Sequence, residues 1–189
     1  NDVIASQEND GEIVVRDIIL KDYDKEVVFM KQMTHHLINI DESFMKKVVN
    51  VFLIRNPKQL ISSLSQVIGN VTMRDTGIKR QYELYEKLIS QNLNPVVIDS
   101  GEILKDPETV LNKFCESLEI PFKIEMLGWK AGPIKEDGIW AKYWYENVHS
   151  SSGFEKQSTS ERKFPEEFKE LYEECLTYYE KMYEKSIKL

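Results

Sequence analysis

Phe52-Leu53-Ile54-Arg55-Asn56-Pro57, continuing as Lys58-Gln59-Leu60-Ile61-Ser62-Ser63, decides the fold class. The apolar run Val48–Ile54 has strand composition and stops at Arg55, a fixed cation. Asn56 is a helix-capping residue type, and Pro57 suits the first helical position, where its missing N–H costs nothing. Leu60, Ile61, Leu64 and Ile68 then recur at helical spacing and predict an inward face. A strand that feeds directly into a capped helix is half of a βα unit.

Two further runs share this character. Val27–Met30 leads to Lys31, and Pro95–Ile98 leads to Asp99. None of the three alternates in polarity, which predicts parallel strands buried on both faces. Helical patterns surround them. Ile13, Val14, Ile18 and Ile19 predict a helix over Glu12–Asp22. Thr76 can cap a helix carrying Ile78, Tyr82, Tyr85 and Ile89, which ends near Asn92–Pro95. Asp106-Pro107-Glu108 opens another, through Leu111, Phe114 and Leu118. Pro165–Lys185 carries a stripe of Phe168, Leu171, Tyr172, Cys175, Tyr179, Met182 and Tyr183. Asn1–Gly11 reads as a polar loop, and residues 150–163 as an exposed one. Strand–helix alternation predicts an α/β fold of three layers, a parallel sheet flanked by helices, in one domain over residues 1–189.

Composition narrows the function classes. Of 189 residues, 41% are hydrophobic, and 25 basic against 32 acidic residues leave a net charge of -7. Such an acidic chain argues against nonspecific nucleic-acid or anionic-membrane binding. A local basic site for one phosphorylated ligand stays open. Cys115 and Cys175 both fall in helical apolar patterns and read as buried free thiols. No metal-ligand spacing is present, and no apolar run approaches the ~20 residues of a membrane span. No secretory signal is visible, so a reducing, cytoplasmic setting is the expectation. Oligomeric state is not legible.

In open α/β sheets, ligands bind beyond the carboxyl ends of the strands. Lys31, Arg55 and Asp99 stand at those ends. Ser63 follows Pro57 by six residues, about 9 Å along a helix. An Arg and a hydroxyl on one flank suit a phosphate monoester. The opposing reading pairs Arg55 with a carboxylate and leaves Ser63 a small helix-surface residue.

Arg55-Asn56-Pro57 with Ser63 resembles the 3′-phosphate-binding segment of the sulfotransferases. Those enzymes use 3′-phosphoadenosine 5′-phosphosulfate (PAPS) as sulfuryl donor. Lys31-Gln32-Met33-Thr34-His35-His36-Leu37 is similar to a segment of a bacterial and plant subgroup. That subgroup includes the sulfotransferase-like part of plant proteins named branched-chain aminotransferase-like. Asp99-Ser100, Asp106-Pro107-Glu108 and Ile120-Pro121-Phe122 recur there too. So do Trp129-Lys130-Ala131-Gly132-Pro133, Glu136-Asp137-Gly138-Ile139-Trp140-Ala141, Trp144-Tyr145 and Ser151-Ser152-Gly153-Phe154.

The resemblance implies a PAPS-dependent transfer of a sulfuryl group to a hydroxyl or amine acceptor, with 3′,5′-adenosine bisphosphate as by-product and no metal. Arg55 and Ser63 would hold the 3′-phosphate. Lys31 would stabilise charge on the bridging oxygen, or else form a surface ion pair. The subgroup tends to place His where Gln32 stands, so His35 or His36 would be the base, or else be structural. Gly138 and Trp140 would border the nucleotide; alternatively Trp140, Trp144 and Tyr145 form one packed helix face. His149 reads as solvent-facing or helix-end decoration. Sulfotransferases open with a strand and a Ser/Thr-rich loop that cradles the 5′-phosphosulfate, and nothing before Glu12 resembles it. The expectation is a domain lacking its first strand and N-terminally incomplete, with weak nucleotide binding by these residues alone. The rival is a noncatalytic module that keeps the fold for protein contacts or nucleotide sensing. A P-loop kinase would need a Gly-rich, Lys-containing loop that the sequence lacks.

Overall fold

A computed structural model describes residues 2–155 and 164–189. Two strands, β1 (Val51–Ile54) and β2 (Val96–Asp99), pair in parallel with Val51 opposite Val96 and Ile54 opposite Asp99. Both lie where the apolar runs predict them. The carboxyl ends of the strands therefore meet at one edge, where Asp99 pairs with Ile54 and Arg55 follows one residue beyond.

The helices, in chain order, are α1 (Asp2–Ala5), α2 (Gly11–Val14), α3 (Pro57–Ile68), α4 (Met73–Thr76), α5 (Ile78–Ser90), α6 (Ser100–Lys105), α7 (Pro107–Ser117), α8 (Ala141–Trp144), α9 (Glu146–His149) and α10 (Lys169–Glu184). A wider helical turn over Val15–Ile19 continues α2 and completes the helix expected there, while α1 puts a single turn inside the expected polar loop. Gln157–Ser160, expected in an exposed loop, lie outside the described residues.

Parallel strands cannot be joined by a hairpin, and α3, α4 and α5 supply the crossover. Asn56 caps α3 by accepting the Lys58 N–H at 3.0 Å, with Pro57 in the first turn. Ile61 is fully buried, but Ile68 at the end of the expected face is exposed. Thr72, rather than Thr76, is the principal cap that follows. It forms a reciprocal capping box with Asp75 at the start of α4. Gly77, at φ 68°, ends α4 and starts α5. A side chain there would be strained, and its Cβ would lie 2.8 Å from Thr34 Oγ1.

Helix α10 packs against α5, α3 and both strands. Its stripe, read from the sequence, is present: Phe168 just before it, then Cys175, Tyr179 and Met182, are buried, with Leu171 and Tyr172 half-buried. Both cysteines are buried free thiols. Glu102, also buried, accepts from Tyr183 at 2.6 Å and Lys105 at 2.5 Å.

Two expectations fail. Val27–Met30 forms no strand; Val27, Val28 and Phe29 are exposed, Phe29 at 81%. Lys31 consequently does not stand at a strand end. Nor is β1 buried on both faces, because Leu53 is 54% exposed. The described architecture is a small parallel sheet flanked by helices. No helix in it is long and apolar enough to cross a membrane.

Candidate functional site

Arg55 leaves β1 half-buried at the carboxyl end of the sheet, and Asn56 turns the chain into α3. Ser63 lies half-buried on that helix, beside the buried Ser62. The two residues expected to hold a 3′-phosphate thus belong to one strand–helix unit. The neighbouring strand end is differently employed. Asp99 is 3% exposed. Its Oδ1 accepts the Gly101 and Glu102 N–H groups at 2.8 and 3.1 Å, capping α6. Its Oδ2 accepts the Tyr179 hydroxyl at 3.1 Å. Burial pushes the Asp99 carboxyl above its ordinary range, and these hydrogen bonds pull against it. Asp99 is a structural anchor between β2, α6 and α10.

The 31–40 segment meets the N-terminal end of α5 through Thr34. Lys31 is exposed on irregular backbone. Thr34–His36 form a short 3₁₀ turn, and Thr34 Oγ1 donates to the Gly77 carbonyl at 3.5 Å. One turn into α5, Gln81 donates to the Leu53 carbonyl of β1 at 3.0 Å. The first turns of α5 therefore link the His35 turn to the strand that carries Arg55. His35 is half-buried and meets the His36 ring edge-on at 4.5 Å. Burial, then the charges of His36 and Arg74, lowers the His35 pKa and favours the neutral imidazole. His36 is exposed. An open groove of about 600 Å³ lies here, lined by Thr34 and His35 and by Arg74, Lys79 and Arg80.

Gly138 and Trp140 sit in a separate block and do not line this groove. The Trp140 ring covers Gly138 so closely that a Cβ there would collide with it. Trp140 Nε1 donates to the Tyr145 hydroxyl at 3.0 Å. The single packed face of Trp140, Trp144 and Tyr145 does not form: Trp144 is 56% exposed, because α8 is only one turn long. The expectation for His149 is also corrected. Its Nε2 lies 2.8 Å from Asp137 Oδ2, and its carbonyl accepts the Gly132 N–H at 2.8 Å. Hydrogen bonding from the Ile134 N–H, and then from His149, holds the Asp137 carboxyl below its usual range. The block closes where Trp129 N–H donates to the Ser152 carbonyl at 3.0 Å and Trp129 meets Phe154 edge-on.

Sequence reasoning missed two features. The Asp137–His149 pair spans twelve residues and no periodicity marks it. Arg74, Lys79 and Arg80 look like ordinary exposed helix cations; the one available signal was their clustering around the Gly77 break.

A family model described as a sulfotransferase domain matches residues 1–186. The chain belongs to this sulfotransferase domain family. It is 35% identical over 180 residues to branched-chain-amino-acid aminotransferase-like protein 2 of Arabidopsis thaliana, covering 95% of this chain and 32% of that protein. It is 36% identical to the aminotransferase-like protein 1 of the same plant, with the same coverage. The chain spans about a third of the length of these curated relatives. No solved structure matches it.

For a sulfotransferase domain, the groups required of a phosphate site are a planar cation and nearby donors. Arg55, the Asn56-capped start of α3 and Ser63 fit that requirement chemically. Among the described residues, no group of three or more His, Cys, Asp or Glu could hold a metal ion.

Proposed function

We propose that this sulfotransferase domain binds PAPS and transfers its sulfuryl group to a hydroxyl or amine acceptor. The supporting observation is the family match over residues 1–186 together with Arg55 at the junction of β1 and α3. PAPS, when bound, supplies the sulfuryl group: the acceptor oxygen or nitrogen bonds to sulfur as the sulfur–oxygen bond to the 5′-phosphate breaks. Arg55 and Ser63 hold the 3′-phosphate. Lys31 offers positive charge to the oxygen that leaves. His35 or His36 takes the acceptor's proton, and the lowered pKa of His35 keeps its ring in the form that can do so. Gly138 and Trp140 border the nucleotide. Positioning and electrostatics carry the reaction, without a metal.

In this reading the two described strands belong to a three-layer sheet of sulfotransferase type, and the domain works in the cytoplasm on a small-molecule acceptor, without nucleic acid or membrane. The test is calorimetric titration of the full gene product carrying this chain with 3′,5′-adenosine bisphosphate. Loss of one charge-assisted pair in Arg55→Ala should weaken binding roughly tenfold to a hundredfold. Absence of binding by the unaltered protein would favour a noncatalytic module with the same fold.

A further inference from the structure

The groove that contains His35 runs between the 34–39 segment and the α4–α5 corner. Its volume falls in the range of small-ligand sites, about 300–1,000 Å³. The chain as a whole is acidic, yet one wall of this groove carries three cations, Arg74, Lys79 and Arg80, against one carboxylate, Glu83.

The cations are not equally committed. Arg80 is held by Glu42, which also takes Lys87 at 2.8 Å, and it lies 3.6 Å from Glu83. Lys79 reaches Glu174 only at 4.0 Å and lies over the Tyr178 ring. Arg74 is exposed, and no carboxylate among the described residues lies within ion-pair distance of it. Its neighbour Asp75 is bound to the Thr72 N–H at 2.8 Å and hydroxyl at 2.5 Å. The rest of the lining combines polar Thr34, His35 and Asn39 with apolar Leu37 and Met73, which are half-buried, and Ile38, which is exposed. Apolar lining beside an uncommitted guanidinium suits a ligand with a hydrocarbon body and an anionic end.

We propose that this groove is the acceptor site and that it selects an amphipathic acceptor bearing an oxyanion, carboxylate or phosphoryl. Arg74 binds the oxyanion with Lys79 beside it, the carbon body lies on Leu37, Ile38 and Met73, and the reacting hydroxyl faces His35. The word acceptor rests on the sulfuryl-transfer reading; the anion-binding site does not.

The test uses the full gene product without nucleotide. The probes are 4-hydroxyphenylacetate, 4-hydroxybenzylphosphonate and the uncharged 4-(2-hydroxyethyl)phenol, followed through the His35 ring and Met73 methyl resonances. At least one anion should shift both resonances and bind about tenfold or more tightly than the neutral phenol, a preference that salt weakens. Arg74→Gln should remove most of that preference and Arg74→Lys should keep part of it. Whichever anion binds better identifies the oxyanion. Equal binding of charged and neutral probes, an Arg74→Gln variant that binds like the parent, or no shift at His35 and Met73 would each overturn the proposal. Anion binding in the groove of a protein that fails to bind 3′,5′-adenosine bisphosphate would sustain the anion site and remove the donor reading alone.

Discussion

Replacing Tyr179 with Phe isolates one hydrogen bond in the buried network at the sheet's carboxyl edge. The ring keeps its stacked contact with Tyr183 at 5.5 Å, and only the hydroxyl is removed. That hydroxyl donates to Asp99 Oδ2 at 3.1 Å, where Asp99 is 3% exposed. A hydrogen bond to a charged acceptor contributes about 1.5–3 kcal/mol, so Tyr179→Phe should cost about 2 kcal/mol at about pH 7. With a urea slope of about 2 kcal/mol per molar, the unfolding midpoint falls by about 1 M. The pH dependence carries the diagnosis. Burial raises the Asp99 pKa in the folded protein. Its contribution to stability is therefore full below the unfolded carboxylate pKa and is lost as pH rises through the higher folded value. The Tyr179 hydroxyl lowers that folded value, so its removal steepens the loss. At an acidic pH below the unfolded carboxylate pKa, where the raised folded value keeps Asp99 protonated, the difference between parent and variant should shrink to about 1 kcal/mol or less, the range of a neutral hydrogen bond. Urea unfolding at both pH values measures it. A difference that is the same at both, or larger in acid, would refute a charged Asp99 held by Tyr179.

Three other outcomes follow from the packing. Met182→Ala, at a side chain 1% exposed on α10, should cost about 2–5 kcal/mol in the same assay, while Val67→Ala on exposed α3 surface should stay within about 0.5 kcal/mol. Gly138→Ala must displace the Trp140 ring, so it should change tryptophan fluorescence and, in the proposed reading, weaken bisphosphate binding. Asp137→Asn weakens the tie to His149, and amide exchange should quicken at Gly132 while the α3 amides keep their protection.

The elements legible in the sequence are those whose signals are local. Asn56-Pro57 and Asp106-Pro107 cap helices because side-chain oxygen and proline geometry act within one turn. The α10 stripe is legible because burial and helical period coincide. Val51–Ile54 and Val96–Asp99 are strands because each finds the other. Val27–Met30 has the same composition, but a strand is defined by a ladder partner, and composition does not supply one. Thr72-Met73-Arg74-Asp75 is a capping box in plain view that the apolar pattern beginning at Ile78 pulled toward Thr76. The Arg55–Ser63 unit was legible from one strand–helix junction. The groove was not, because it joins His35 to cations some forty residues away through the Thr34–Gly77 contact.

The central claim is that Arg55 binds the 3′-phosphate of an adenosine nucleotide. Its most direct measurement is a thermodynamic cycle comparing 3′,5′-adenosine bisphosphate with adenosine 5′-monophosphate on the parent protein and on Arg55→Ala. The parent should prefer the bisphosphate by roughly tenfold to a hundredfold, and Arg55→Ala should lose nearly all of that preference while its affinity for the monophosphate stays the same. An Arg55→Ala variant that keeps the full preference, or a parent that shows none, would contradict the account.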